Sequence, residues 1–306
     1  MPWGVDRIGA DSVWTFNTGQ GIKVAVVDSG IDSDHPDLAS NLLGGINAGN
    51  EDLPPEDDYG HGTMVAGVIA AVNNSEGVIG VGPGIGIYSV KINFTGMSAI
   101  YRGIEWCVYG NDGTPGTGDE PNVQVINMSF GIETELGVPV DDEGFHTALQ
   151  TAYGAGIVLV AAAGNDAADL GVKPHYPACY DEVITVSATG TQTVRGKRGT
   201  KTQVDYFASW SNYGDKVDLA APGVSVETTM MGGGYYGGFS GTSASCPHVV
   251  GAAALVLKSL GKTKPEAGCP ELVRTKLKEK AELLDSLTLQ QQGAGLVDAE
   301  NAVTGD

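Results

Sequence analysis

Val24-Ala25-Val26-Val27 is an unbroken apolar run that stops on a carboxylate, Asp28. A strand with one wet face alternates apolar and polar residues. An uninterrupted run instead marks a strand covered on both faces, the usual condition of a parallel sheet. Short, mostly apolar strand-like segments recur at residues 87–92, 123–128, 157–162 and 183–188, with 157–162 again unbroken. Segments with helical spacing occupy 62–72, 100–109, 145–153, 245–260 and 271–281. Strand alternating with helix predicts an α/β fold, a three-layer sandwich whose mostly parallel central sheet carries helices on both faces. Sites in such sheets form just beyond the carboxyl ends of the strands. Asp28, Ser129 and Asn165 all fall there.

Several function classes drop out early. A formal net charge of −20 repels phosphate backbones, so no nucleic-acid partner is expected. No apolar run reaches the ~18 residues of a membrane span. The longest, near 249–257, fits a buried helix. The 46 glycines follow no G-X-Y period, which excludes collagen. Cys107, Cys179, Cys246 and Cys269 match no zinc spacing. Two disulfides and four free thiols both remain open, since four cysteines permit three pairings. Cys107 and Cys246 sit inside apolar helical patterns, which suits packed thiols.

No shift in composition divides the chain, so residues 1–306 read as one domain. Two segments read as inserted loops. One, near 110–122, carries Asp112, Asp119 and Glu120. The other, near 190–203, carries a basic island of Arg195, Lys197, Arg198 and Lys201. The opening Met1-Pro2-Trp3-Gly4 has no signal-peptide or pro-domain pattern.

Three segments carry candidate chemistry, and each has an ordinary structural explanation when taken alone. Asp28 ends a buried strand, where a carboxylate must be paired or cap a turn. His61 starts a helix between Gly60 and Gly62, which implies close approach by another part of the chain. Ser243 opens a long apolar helix, where serine is a common cap and the helix end is positive. Their order and flanks are more specific. "VAVVDSGIDSDHPDL", "VINMSFG", "VAAAGN", "HGTMVAGVIAA" and "SGTSASCPHVVGAAAL" together resemble the subtilisin family, the subtilases, from Trp3 to about Leu260.

The resemblance implies a serine endopeptidase. Ser243 would attack the peptide carbonyl, His61 would act as general base and then acid, and Asp28 would orient His61. Asn165 and the Ser243 backbone N–H would form the oxyanion hole. An extended protein or peptide substrate would pair with Ser129, Phe130 and Gly131. The pocket for the residue before the cleaved bond would lie between these and Ala161, Ala163 and Gly164, with His175 at its floor. A structural calcium ion (Ca2+) would be held by Asp37 and Asn74, with Val72, Glu76 and Val78 giving backbone carbonyls. The family's N-terminal Gln ligand has no counterpart. The acidic insert could hold a second calcium or be a solvated loop. Ala178, Tyr180 and Val183 match a weaker cation site.

The family likeness also implies a secreted, monomeric enzyme whose start resembles a mature form freed of a pro-segment, itself an inhibitor and folding helper. An intracellular enzyme is the alternative. Two other activities use the same framework. One is a narrow-specificity processing protease or transpeptidase on the same triad, and the other a non-catalytic pseudoprotease. The stretch 91–97 looks shorter than in common relatives, which puts one wall of the groove in question. Ala244 follows Ser243 where secreted relatives often carry methionine, so resistance to oxidation is expected. Cys246 replaces a family serine and is expected as a packed thiol.

Overall fold

The computed structural model describes residues 1–92, 96–114, 116–132, 140–195 and 201–305, with the backbone alone at residues 195, 201 and 202. Residues 93–95, in the 91–97 stretch expected to be short, lie outside the described residues. So do residue 115 and residues 196–200, which include Lys197 and Arg198.

The strands are β1 (Lys23–Asp28), β2 (Leu42–Asn47), β3 (Gly86–Lys91), β4 (Val125–Met128), β5 (Val158–Ala162), β6 (Val183–Arg195), β7 (Lys201–Phe207), β8 (Leu219–Pro222), β9 (Val226–Met230) and β10 (Gly234–Phe239). The helices are α1 (Trp3–Arg7), α2 (His61–Ala70), α3 (Met97–Tyr109), α4 (Glu143–Gly154), α5 (Thr242–Ser259), α6 (Cys269–Glu279), α7 (Leu289–Gln292) and α8 (Ala299–Thr304).

Strands β1 to β8 form one sheet in the order β2-β3-β1-β4-β5-β6-β7, with β8 also paired to β6. All pairings are parallel except β6 with β7. The chain leaves β1 toward β3 on one side and later returns to β4 on the other. The carboxyl end of β1, where Asp28 sits, is therefore a switch point of the topology, the place where open α/β sheets bind ligands.

The apolar runs explain the layers. Within β1, Val24 and Val26 face one core, and Ala25 and Val27 face the other. The first core packs against α2 and α5, the second against α3 and α4 through Ile100, Ile104, Phe145 and Leu149. This is the expected three-layer sandwich. Helix α5 is buried from Thr242 through Leu257 save for Ser243, which is half-buried. No described helix is long and apolar enough to cross a membrane.

The structure departs from the sequence reading at three places. The 190–203 segment, expected as a loop, is mostly the two arms of an antiparallel pair, with Thr189 opposite Phe207 and Arg195 opposite Lys201. Its Thr-Gln-Thr-Val sequence suits a strand despite its polarity. Strand β2 was not expected, because Gly44 and Gly45 interrupt its apolar pattern. Strands β9 and β10 form a separate hairpin beside α2. All four cysteines are free and buried, which settles the choice in favour of packed thiols.

Candidate functional site

Asp28 is fully buried at the end of β1. Its Oδ1 accepts from the Ser29 backbone N–H at 2.7 Å. The His61 ring comes to it from the first residue of α2, with Nδ1 2.9 Å from both Oδ1 and Oδ2. Gly62 makes this approach possible, because a Cβ there would lie 2.1 Å from the Gly30 carbonyl oxygen. Nδ1 is thus the donor, and Nε2 is the ring's basic nitrogen. Phe239 of β10 meets the imidazole edge-on, with ring centroids 5.7 Å apart. Burial works against a charge on His61, but the field and hydrogen bond of Asp28, helped by Asp57, raise its pKa above the ordinary value.

Ser243 lies in the first turn of α5. Its Oγ donates to the Ser129 carbonyl at 3.0 Å, and the Ser129 hydroxyl donates back to the Ser243 carbonyl at 3.2 Å. Asn165 follows β5 in an exposed loop. Its Oδ1 accepts from the backbone N–H and the hydroxyl of Thr242, at 2.9 and 3.0 Å. That fixes the amide so that Nδ2 is the group left to donate, and no described residue accepts from it. The Ser243 backbone N–H likewise has no acceptor among the described residues, as expected at a helix start. A hydroxyl and two spare N–H donors therefore meet at one cleft, an arrangement suited to acyl transfer once a base such as His61 takes the hydroxyl proton.

The cleft has a volume of about 340 Å³ and is lined by Phe130, Gly131, Ala162, Gly164, Asn165, Asp166, His175, Thr242 and Ser243. Two expected wall residues are not there. Ala161 and Ala163 are fully buried and turned into core clusters, and Ala162 between them takes the lining position. Side chains alternate along a strand, so an error of one residue moves them to the other face. Ser129 is also buried and contributes through its backbone. His175 does reach the cleft. Its imidazole occupies the space over Gly131, where a Cβ would lie 2.1 Å from ring atoms, and approaches Gly164. At the rim, Lys173 Nζ is 3.2 Å from the Asp166 carboxylate.

The loop proposed for calcium does close around Asp37. That side chain is fully buried. Its carboxylate accepts from Asn74 Nδ2 at 2.7 Å and from the Val78 backbone N–H at 2.9 Å. Asn74 Oδ1 accepts from the Glu76 N–H at 2.8 Å, and Val72 N–H donates to the Asp37 carbonyl at 2.9 Å. No lysine or arginine pairs with Asp37 among the described residues. The oxygens of Asp37 and Asn74 are of the hard kind that calcium takes, and here each accepts a hydrogen bond from the loop itself.

The other two cation expectations concern the acidic insert and residues 178–183. No cluster of three or more His, Cys, Asp or Glu side chains able to hold a metal occurs among the described residues. In the acidic insert, Asp119 Oδ2 accepts from the Asn111 and Asp112 N–H groups at 2.7 and 3.2 Å, while Glu120 accepts from the N–H groups of Thr117 and Gly118 at 3.1 Å each. These carboxylates cap their own loop instead of converging. Ala178, Tyr180 and Val183 line a separate pocket that already contains the chain's own cations. Arg274 Nη2 and Lys278 Nζ each lie 2.8 Å from the nearly buried Asp218 carboxylate.

Asp57, Phe239 and Thr242 were not singled out from sequence, although all touch the site. Cys246 is a packed thiol as expected: it donates to Asn127 Oδ1 at 3.3 Å, and burial pushes its pKa up to about 12.

Comparison with known proteins agrees with this geometry. The model of the family described as the subtilase family matches residues 19–295. Subtilisin of Bacillus pumilus is 38% identical over 309 residues, covering 99% of this chain and 98% of its own length. Subtilisin Savinase of Lederbergia lenta is 38% identical over 307 residues, with the same coverage. Subtilisin NAT of Bacillus subtilis subsp. natto is 41% identical over 264 residues, which is 84% of this chain and 61% of that protein. The chain belongs to the subtilase family.

Proposed function

We propose that the chain is a serine endopeptidase that hydrolyses peptide bonds through an acyl-enzyme on Ser243. The observation that carries this reading is the His61 Nδ1 contact with the buried Asp28 carboxylate, because it leaves Nε2 free to take a proton. Ser243 Oγ leaves the Ser129 carbonyl, gives its proton to Nε2 and bonds to the substrate carbonyl carbon. The resulting oxyanion is held by Asn165 Nδ2 and the Ser243 N–H. Protonated His61 then delivers its proton to the amine nitrogen as the C–N bond breaks. Water, activated by the same base, attacks the ester, and Ser243 Oγ regains its proton. Asp28 stays ionised throughout and stabilises the imidazolium.

A fluorophosphonate probe tests this directly. It should label Ser243, and Ser243→Ala should abolish both labelling and casein hydrolysis. An unlabelled native protein would reject the reading.

The substrate is an extended peptide whose backbone pairs with Ser129, Phe130 and Gly131. Its side chain before the cleaved bond enters the cleft beside Ala162, Gly164 and His175. Calcium would be held by side-chain oxygens of Asp37 and Asn74 and by the carbonyls of Val72, Glu76 and Val78. It would neutralise the buried Asp37 and tie the loop after α2 to the core. Residues 1–306 act as one catalytic domain and a monomer. Family likeness supports an extracellular site of action and a pro-segment that assists folding and blocks the cleft.

A further inference from the structure

We infer that Asp57 is a positioning residue for His61, holding the start of α2 against the end of β1 and keeping a second negative charge close to the residue it positions. This rests on the protease reading above.

Asp57 is a nearly buried carboxylate in the segment before α2. It accepts five hydrogen bonds. Oδ1 takes the Ser29 hydroxyl at 2.8 Å, the Tyr59 N–H at 3.1 Å and the Gly60 N–H at 2.8 Å. Oδ2 takes the Thr63 N–H at 3.0 Å and the Thr63 hydroxyl at 2.5 Å. The first N–H groups of a helix have no partners inside it and must find them elsewhere. In α2, Asp57 supplies two of these partners. Ser29, itself bonded to Asp57, supplies a third by accepting from the Gly62 N–H at 2.9 Å.

The geometry couples two elements through one side chain. Ser29 directly follows Asp28, and Gly60 to Thr63 surround His61. Each hydrogen bond that Asp57 makes to one side fixes it relative to the other. The Thr63 hydroxyl extends the link by accepting from the Asp32 N–H at 3.0 Å. The separation of His61 from Asp28 is therefore set by a shared anchor as well as by their own contact. A displacement of this pair by even 1 Å would be costly to proton transfer.

Asp57 also remains charged. Burial resists ionisation, but hydrogen bonds from Thr63, Gly60, Tyr59 and Ser29 outweigh it and hold the carboxyl below the usual range. Asp28 ends β1, and the neighbouring segments carry Asp32 in the turn after β1 and Asp58 just before α2. Lys91 and Asp58 pair with each other at 2.7 Å. Asp32 is turned to the Gly232 and Gly233 N–H groups. The hairpin contributes Phe239, which carries no charge. Asp28 and Asp57 are the two negative groups whose fields favour a charge on the ring.

The test compares the native enzyme with Asp57→Asn, using pH profiles of kcat and kcat/KM on a peptide substrate. The variant should lose about tenfold in kcat with KM held within about twofold. Its acidic limb should move about half a pH unit lower. An acidic limb that coincides with the native one, or a loss confined to melting temperature, overturns the inference. If Asp57→Asn does not fold, Ser29→Ala decides. It removes one donor but keeps the charge, so kcat should fall several-fold with the limb unmoved; an unchanged kcat overturns the proposal. Fluorophosphonate labelling of the native protein separates the two claims. No labelling removes the protease reading, whereas labelling with an unmoved limb removes only the role of Asp57.

Discussion

Nδ1 of His61 sits at the same distance, 2.9 Å, from both oxygens of Asp28. The imidazole is therefore fixed in one tautomer, and the pair has opposite consequences for activity and stability. Attack by Ser243 needs neutral His61. Because Asp28 raises the pKa of the ring, kcat/KM should fall as pH drops through a value above 6.5. The protonated pair stabilises the fold fully below the unfolded value of about 6.5, and this contribution is lost as pH rises through the folded value. Asp28→Asn should lower kcat by about 10⁴, the size associated with the wrong tautomer in triads of this kind. Steady-state kinetics across pH 5 to 9 would check both statements; a limb below 6.5 in the native enzyme would contradict the first.

Asn165 uses one end of its amide on Thr242 and offers the other to the cleft. Asn165→Ala removes both functions, while Asn165→Asp keeps the acceptor and loses the donor. Both should reduce kcat by about 10² to 10³, the loss known for one such donor in this enzyme class, with KM little changed. If Asn165→Asp retained native kcat, Nδ2 would not be the group that meets the oxyanion.

His175 narrows the pocket by lying over Gly131. His175→Gly should open that space. The ratio of kcat/KM for a large apolar side chain before the cleaved bond to that for alanine should rise about tenfold or more. A panel of peptides varied at that one position gives the answer. An unchanged ratio would mean that the side chain binds elsewhere.

Asp37 is a buried carboxylate with no cationic partner in the described structure. Calcium at about 100 times its Kd would add about 2.7 kcal/mol, and chelation should lower the melting temperature by about 5 °C. Asp37→Asn should make the melting temperature insensitive to chelator. Thermal scans with and without EDTA measure both, and equal values in the native protein would dismiss the site.

Much of this arrangement is legible in the sequence because backbone chemistry forces it. Continuous apolar runs give the parallel sheet, since only strands covered on both faces tolerate them. The flanks of Asp28, His61 and Ser243 identify the segments that the fold brings together. Other features have no local signal. Asp57 lies in Glu56-Asp57-Asp58, a run that reads as a solvated charge cluster, and its importance comes from contacts made after folding. Arg274 and Asp218 are 56 residues apart, so no spacing rule links them. The exchange of Ala161 and Ala163 for Ala162 in the cleft depends on register at a strand end, where a run of three alanines gives no marker of direction.

Helix α5 has one further consequence. The nucleophile is mounted on the segment most deeply enclosed by the rest of the molecule, with nearly every residue from Thr242 to Leu257 out of contact with solvent. Local loosening of the surface loops leaves that mounting in place. On heating, turnover should persist until the whole molecule melts, so the enzyme is built to fail abruptly and not by gradual blunting of its active serine.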